Sequence, residues 1–371
     1  MSSSPSLDSL IPPPDEVNDA HKVYSVAAAC IALGIVAVMF VLARLCFRVY
    51  SRTLGPDDYA VMPAIVLYIG WTALAGYINL HAGVGKPLWE ITVAEFSLWY
   101  KGIVVTTWLY PTMSAAIRIS ILLTYRRIFA TSSSEVIKYV IWVLLGFQAV
   151  YVTTFVILPG FMCTSLHYFW DVYQHLSHCD NWYYFWSQIA LYSASMSFDT
   201  ILLLFPIIPV SKLRMPVKKR LGILIIFMLG AGASIAAAYK LAVFDLEMRR
   251  YVPTNSTWLR YEMSGFVPGQ FDRYGTTFWI PSQVEPTVAL IGTSLPALRP
   301  FLASASEHLS GFIATRFTSK ISSFGSKQSG GSASARSESQ GRFLPITNTS
   351  NIELHDIENK TSRKTADTGH L

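Results

Sequence analysis

Charged residues are scarce. Asp, Glu, Lys and Arg together make up 14% of the 371 residues, against about a quarter in an ordinary soluble chain. That deficit argues against a cytosolic enzyme and against a nucleic-acid-binding protein. Cysteine is scarce too, at four residues, which excludes a secreted scaffold built on disulfides. A cleaved leader is not expected either. The first apolar stretch is too long for a signal-peptide core, and no small-residue cleavage site follows a basic start. No motif repeats between the two halves, so an inverted-repeat transporter is not indicated.

What is abundant is apolar. Hydrophobic residues reach 52%, with a mean hydropathy of +0.38. A helix needs about 20 apolar residues to cross the hydrocarbon core of a bilayer. Seven stretches meet that need: 23–47, 59–79, 103–125, 139–159, 185–207, 221–243 and 277–298. The expected fold is therefore an all-α membrane protein, a seven-transmembrane helix bundle. The lipid bilayer is its first partner.

Lys and Arg set the expected orientation. Arg48 and Arg52 follow the first stretch, Arg126 and Arg127 the third, and Lys212, Arg214, Lys218, Lys219 and Arg220 the fifth. These connections share one side, which should be cytoplasmic. The N-terminus then lies outside and the C-terminus inside. Arg249, Arg250, Arg260 and Arg273 lie on the opposite side and weaken the contrast. Two features agree with the assignment. Cys163 and Cys179 share a predicted outer loop and could close a disulfide, which needs an oxidising compartment. Asn255-Ser256-Thr257 is a glycosylation acceptor pattern on the same side. Cys30 and Cys46 fall in the first span and read as inert core residues. The segments 1–22 and 304–371 are rich in Ser, Pro, Gly and charge, and read as disordered tails flanking a membrane domain over 23–303.

Ionisable residues inside a span cost at least roughly 2–3 kcal/mol each on insertion scales, so each needs a reason. Four stand out: Arg118, Asp199, Lys240 and Glu285. Helical rise places Arg118 roughly 12 Å above the inner boundary, Asp199 roughly 20 Å, Glu285 about 21 Å and Lys240 about 30 Å. Three of them have polar company at helical spacing. Thr107, Tyr110 and Ser114 accompany Arg118. Gln188, Tyr192 and Ser195 accompany Asp199. Ser282 and Thr293 accompany Glu285. Pro281 and Pro286 bracket Glu285 and predict a kink there. The charges balance, two against two. They form either a ligand or ion site in the outer half, or a structural ion-pair network; the residues alone allow both.

Other clusters are weaker. His167, His175 and His178 match no standard zinc spacing, and no metal is expected. Gly83-Val84-Gly85-Lys86 lacks the full phosphate-loop pattern and reads as a turn. The aromatics Tyr168, Phe169, Trp170, Trp182, Tyr183 and Tyr184 suit an interfacial belt.

Several motifs recur in a recognisable order. Leu54-Gly55-Pro56-Asp57-Asp58-Tyr59 opens the second stretch. The Gly83–Lys86 turn, Arg118 with Tyr125-Arg126-Arg127, Cys163…Trp170…Cys179, Asp199 with Pro206 and Pro209, Glu285, and Leu295-Pro296 with Arg299-Pro300 follow. The set resembles the fungal seven-helix "rhodopsin-domain" integral membrane proteins. That family includes Pth-type receptor-like proteins and membrane proteins of toxin gene clusters such as the satratoxin cluster. Some positions depart from it. The third-span cation is usually Lys and is Arg118 here; the sixth-span cation is usually Arg and is Lys240 here. Thr164 and Ser165 stand where a proline commonly follows the first outer-loop cysteine. No eight-cysteine extracellular module is present, and 277–298 holds no lysine for a retinal Schiff base. No cofactor is therefore expected. The resemblance implies receptor-like sensing of an unidentified small molecule, with a cytoplasmic signalling partner; the plasma membrane is the preferred setting, and an internal membrane with the same topology fits the charges equally. Its alternative is a membrane component of a secondary-metabolite gene cluster, serving transport or acid-assisted cyclisation.

Overall fold

A computed structural model describes residues 10–129, 135–165, 168, 174–207, 217–249, 257–262, 271–273 and 275–298. Seven long helices occur among them. They are α1 (Ser25–Tyr50), α2 (Pro56–His81), α3 (Val93–Phe129), α4 (Glu135–Ile157), α5 (Asn181–Leu204), α6 (Val217–Arg249) and α7 (279–298). No strand occurs among the described residues; two isolated bridges join Ile11 to Thr257 and Cys163 to Cys179. Asn255, the 304–371 tail and the basic residues Lys212 and Arg214 lie outside the described residues.

Local chemistry sets the helix ends. Gly55 precedes α2 in an extended conformation, Pro56 opens the helix, and Asp58 accepts from the Gly55 N–H at 3.0 Å. Asp180 caps α5 by accepting from the N–H groups of Trp182 and Tyr183. Asp272 does the same ahead of α7, for Thr277 and Phe278. Burial pushes the Asp272 carboxyl up, while those backbone donors pull against the shift. The prolines bracketing Glu285 do not end the helix. Pro281 falls in the first turn of α7, where no intrahelical partner is lost, and the helix runs on through Pro286.

Among the described residues, four helical stretches are apolar and long enough to cross a membrane by length and composition: Ser25–Tyr50, Pro56–His81, Glu135–Phe161 and Met228–Arg249. Polar groups dilute the hydropathy of α3, α5 and α7. Those groups face inward: Ser114, Arg118, Ser195, Ser282, Gln283 and Glu285 are all buried. Exposed aromatics and aliphatics lie on the outward faces of α1, α2, α4 and α5, such as Ile35, Met39, Val66, Trp142, Phe147 and Trp186. A bundle apolar outside and polar within is what lipid, rather than water, selects.

The main core joins the middle of the helices through Val41, Tyr68, Trp71, Met113, Phe185, Tyr192, Phe244 and Leu290. A second cluster closes the predicted outer end, with Val84, Leu88, Phe96, Tyr100, Met162, Leu259 and Phe271. There the loop after α2 pairs with the segment before α7: Gly85 N–H donates to Phe271 O, and Phe271 N–H donates to Lys86 O. The N-terminal segment also lies across this end. Leu10 is buried, and Trp258 N–H donates to Ile11 O at 3.0 Å. One expectation is corrected. Cys30 is buried, but Cys46 is exposed on the outward face of α1 and belongs to no core.

Candidate functional site

The four intrahelical charges converge as two pairs from four helices. Arg118 of α3 donates through Nε to Asp199 Oδ1 of α5 at 2.9 Å. Lys240 of α6 donates to Glu285 Oε2 of α7 at 2.7 Å. The pairs touch, since Arg118 Nη2 is 3.6 Å from Glu285 Oε1. Ser195, one turn before Asp199, joins them. Its hydroxyl donates to Glu285 Oε1 at 3.1 Å and accepts from Arg118 Nη2 at 2.5 Å.

Tyr110 completes the network. Its hydroxyl lies 2.7 and 2.8 Å from the two Glu285 oxygens and accepts from Lys240 Nζ at 2.5 Å. Lys240 also sits over the rings of Tyr110 and Tyr192, 4.0 and 4.6 Å from their centroids. Arg118 lies 5.5 Å from the Tyr151 ring centre. The sequence placed Tyr110 and Ser195 on the right faces but did not mark them as bridging groups. The signal was present: Tyr110, Ser114 and Arg118 share one face of α3, and Ser195 shares one with Asp199. Gln188, Thr107 and Ser282 are buried but make no bond to these charges.

The two carboxylates are not equivalent. Both Glu285 oxygens are occupied by hydroxyl or ammonium donors. Asp199 accepts from Arg118 alone, and its Oδ2 has no protein partner; neither does Arg118 Nη1. Both side chains line a cavity of about 20 Å³ with Ser114, Ile117, Ala233 and Pro286. A water needs roughly 10–15 Å³, so the space matches one small group.

Two further ionic clusters were not read as sites from the sequence. The first lies at the predicted inner end. Arg44, fully buried, donates to Asp57 at 2.6 Å, to Asp58 at 3.1 Å and to Thr293 O of α7 at 2.6 Å. Arg127 of α3 reaches Asp57 at 3.0 Å and Asp58 at 3.4 Å, and Arg48 approaches both more loosely. The Asp57-Asp58 motif thus clasps α1, α2, α3 and α7. The second lies at the other end. Lys86, read above only as part of a turn, is fully buried between Glu95 at 2.7 Å and Asp19 at 2.8 Å. Burial opposes the Lys86 charge, but the two carboxylates outweigh it and hold the ammonium above its ordinary value. Hydrogen bonding to Lys86 holds Asp19 below its own.

Cys163 and Cys179 are disulfide-bonded. Asp180 N–H donates to Met162 O and Thr164 N–H to His178 O beside that bridge. No group of three or more metal-ligating side chains occurs among the described residues.

Comparison with known proteins follows the same lines. Wortmanamides biosynthesis cluster protein C of Talaromyces wortmannii is 30% identical over 145 residues, which is 38% of this chain and 38% of that protein. The match thus spans well under half of the relative's length. No solved structure matches. The fungal rhodopsin domain description matches residues 43–304, from the clasp arginine's helix to beyond α7. The chain therefore belongs to the fungal rhodopsin domain family and is a helical integral membrane protein.

Proposed function

We propose that this chain is a seven-span, receptor-like sensor of a small molecule, with its N-terminus outside and its C-terminus in the cytoplasm. The observation that carries the reading is the Glu285 carboxylate. It binds groups from α3, α5 and α6 at once. A ligand that alters one of those bonds changes the packing of four helices. Interior ionic groups of this kind have few alternative partners in lipid, so they favour discrete arrangements over gradual ones. Arg44 then ties α7 to the inner ends of α1, α2 and α3, which gives a physical route from the interior to the cytoplasmic face. In this reading Asn255 is a glycosylated outer-loop residue. Segment 304–371 is a tail that meets a cytoplasmic signalling partner. The plasma membrane is the setting, and the membrane domain is 23–303.

A second reading is a membrane component of a secondary-metabolite gene cluster. The name of the Talaromyces relative favours it. Within that reading the geometry supports transport over acid-assisted cyclisation. A proton-donating carboxylic acid must be neutral, whereas Glu285 is held by an ammonium and two hydroxyls.

The deciding experiment is a deletion strain profiled for metabolites inside cells and in the medium, and for responses to nutrients and surfaces. Altered responses with unchanged chemistry support the sensor. A finished product trapped inside cells replaces it with a transporter. An accumulated uncyclised precursor makes it an enzyme. Re-expression of Glu285→Gln should fail to restore the response although the protein reaches the membrane.

A further inference from the structure

The inner clasp holds three cations against two carboxylates. Arg44 is fully buried and bonds both Asp57 and Asp58. Arg127 bonds both as well. Arg48 is the third cation, and the clasp uses it least. It approaches the same two carboxylates only at 3.5 and 3.8 Å. Its Nη2 and Nε make no hydrogen bond among the described residues. One positive charge is thus left over. Arg48 Nη1 and Arg127 Nη2 also converge on one acceptor, the Thr53 carbonyl, at 3.3 and 2.6 Å. Two donors on one oxygen lie within about 6 Å of each other, and each of these nitrogens carries a second hydrogen. Both side chains keep open surface, 11% for Arg48 and 33% for Arg127. Two converging guanidiniums with a surplus charge suit a phosphate, which can accept from each through a different oxygen.

The place of the pair in the fold narrows the source of that phosphate. α1 and α2 have 26 residues each, which is about 39 Å of helix against a hydrocarbon core of about 30 Å. The turn that joins them, 51–55, therefore lies at the level of the lipid headgroups. An apolar stripe opens one turn further on: Tyr59, Met62, Val66 and Ile69 of α2 are exposed and recur at helical spacing. Tyr50 and Leu54, on either side of the turn, are exposed too. We propose that Arg48 and Arg127 form a binding site for an anionic phospholipid. Its phosphate accepts from both guanidiniums beside the 51–55 turn, and an acyl chain lies along the α2 stripe. A zwitterionic lipid brings its own cation and leaves the surplus charge unanswered, whereas an anionic one neutralises it. Free phosphate gains nothing from the stripe. The site needs only the membrane placement of the chain, not the sensor reading or an orientation.

The test is native mass spectrometry of the full-length protein in detergent, titrated with phosphatidylglycerol and, separately, with phosphatidylcholine. The wild type should bind one phosphatidylglycerol roughly fivefold more tightly than phosphatidylcholine, the effect of one basic side chain at a lipid surface. Arg48→Gln leaves Arg44 and Arg127 to neutralise Asp57 and Asp58, so the fold is kept and the preference should vanish. Arg52→Gln removes an exposed charge from the same turn and should leave the preference in place. Excess inorganic phosphate should not displace the lipid. Equal binding of the two lipids by the wild type, a preference that survives Arg48→Gln, or one that Arg52→Gln removes as fully, overturns the site. Displacement by inorganic phosphate overturns the lipid as its occupant. If Arg48→Gln does not fold, Arg48→Lys answers instead: it keeps the charge but not the fork, so binding should weaken while the preference persists. Wild-type affinity in Arg48→Lys overturns the shared phosphate.

Discussion

Arg44→Met removes the centre of the inner clasp while keeping the length and apolar bulk of the side chain. Arg44 has no exposed surface and makes hydrogen bonds to Asp57, Asp58 and the Thr293 carbonyl. Breaking a buried ion pair from one side costs about 3–5 kcal/mol, because the partner charge stays behind. Here two carboxylates stay behind, but Arg127 still reaches them at 3.0 and 3.4 Å, and Arg48 at 3.5 and 3.8 Å. The lower end of the range, about 3 kcal/mol, is therefore expected. At roughly 2–4 °C per kcal/mol for a domain of this order, the melting temperature should fall by about 6–12 °C. Tryptophan fluorescence during a thermal ramp in nanodiscs reads this directly. Arg52→Met, at an exposed position two residues beyond α1, is the control and should melt as the wild type does. Adding Asp57→Asn to Arg44→Met should recover part of the loss, because one stranded charge disappears. If Arg44→Met melts within 1 °C of the wild type, or falls no further than Arg52→Met, the clasp does not hold these helices together.

Four further outcomes are expected. Lys240→Met should cost about 3–5 kcal/mol by stranding Glu285, and Lys240→Met with Glu285→Gln should cost less than Lys240→Met alone, as read by melting of the two proteins side by side. Cys163→Ser should lower stability by about 3 kcal/mol, the value for a loop near 15 residues, and should abolish the mobility shift on reduction in a gel. Gly85→Ala should cost about 1–3 kcal/mol, since Gly85 has φ +95° and an added Cβ would lie 2.7 Å from the Val23 Cβ; circular dichroism melts give the figure. The Asp19–Lys86 contact should weaken in acid. The folded Asp19 carboxyl lies below its ordinary value, so its contribution is present above about pH 4 and is lost as pH falls through the depressed value. Hydrogen exchange over residues 10–24 should rise in that window and remain flat between pH 5 and 8.

Much of this architecture was legible in the chain. Spacing of Thr107, Tyr110, Ser114 and Arg118 fixed the inward face of α3, and the depth estimates set Asp199 and Glu285 at one level. The pairing itself was not legible. Depth put Lys240 about one-third of a membrane away from Glu285, and the length of the lysine side chain closes that gap. The inner clasp was missed for a different reason. Arg48 and Arg127 were counted as boundary charges, which is what most basic residues at span ends are, and Arg44 fell within the first apolar stretch. Recognising them as partners of Asp57-Asp58 needs knowledge that α3 and α7 pack beside that turn. Lys86 was hidden in the same way, because its partners come from the N-terminal segment and from the start of α3.

The two ionic sites also differ in when they can first exist. Arg44 and Asp57 are 13 residues apart, so both leave the ribosome almost together and can pair within a single hairpin. Arg118 precedes Asp199 by 81 residues. At about 5–20 residues per second, that is roughly 4–16 s of synthesis during which the third helix carries an unneutralised guanidinium. A chain interrupted before α5 would leave Arg118 without Asp199. On the seven-span proposal, truncated or slowly translated copies should therefore be marked for disposal at the membrane.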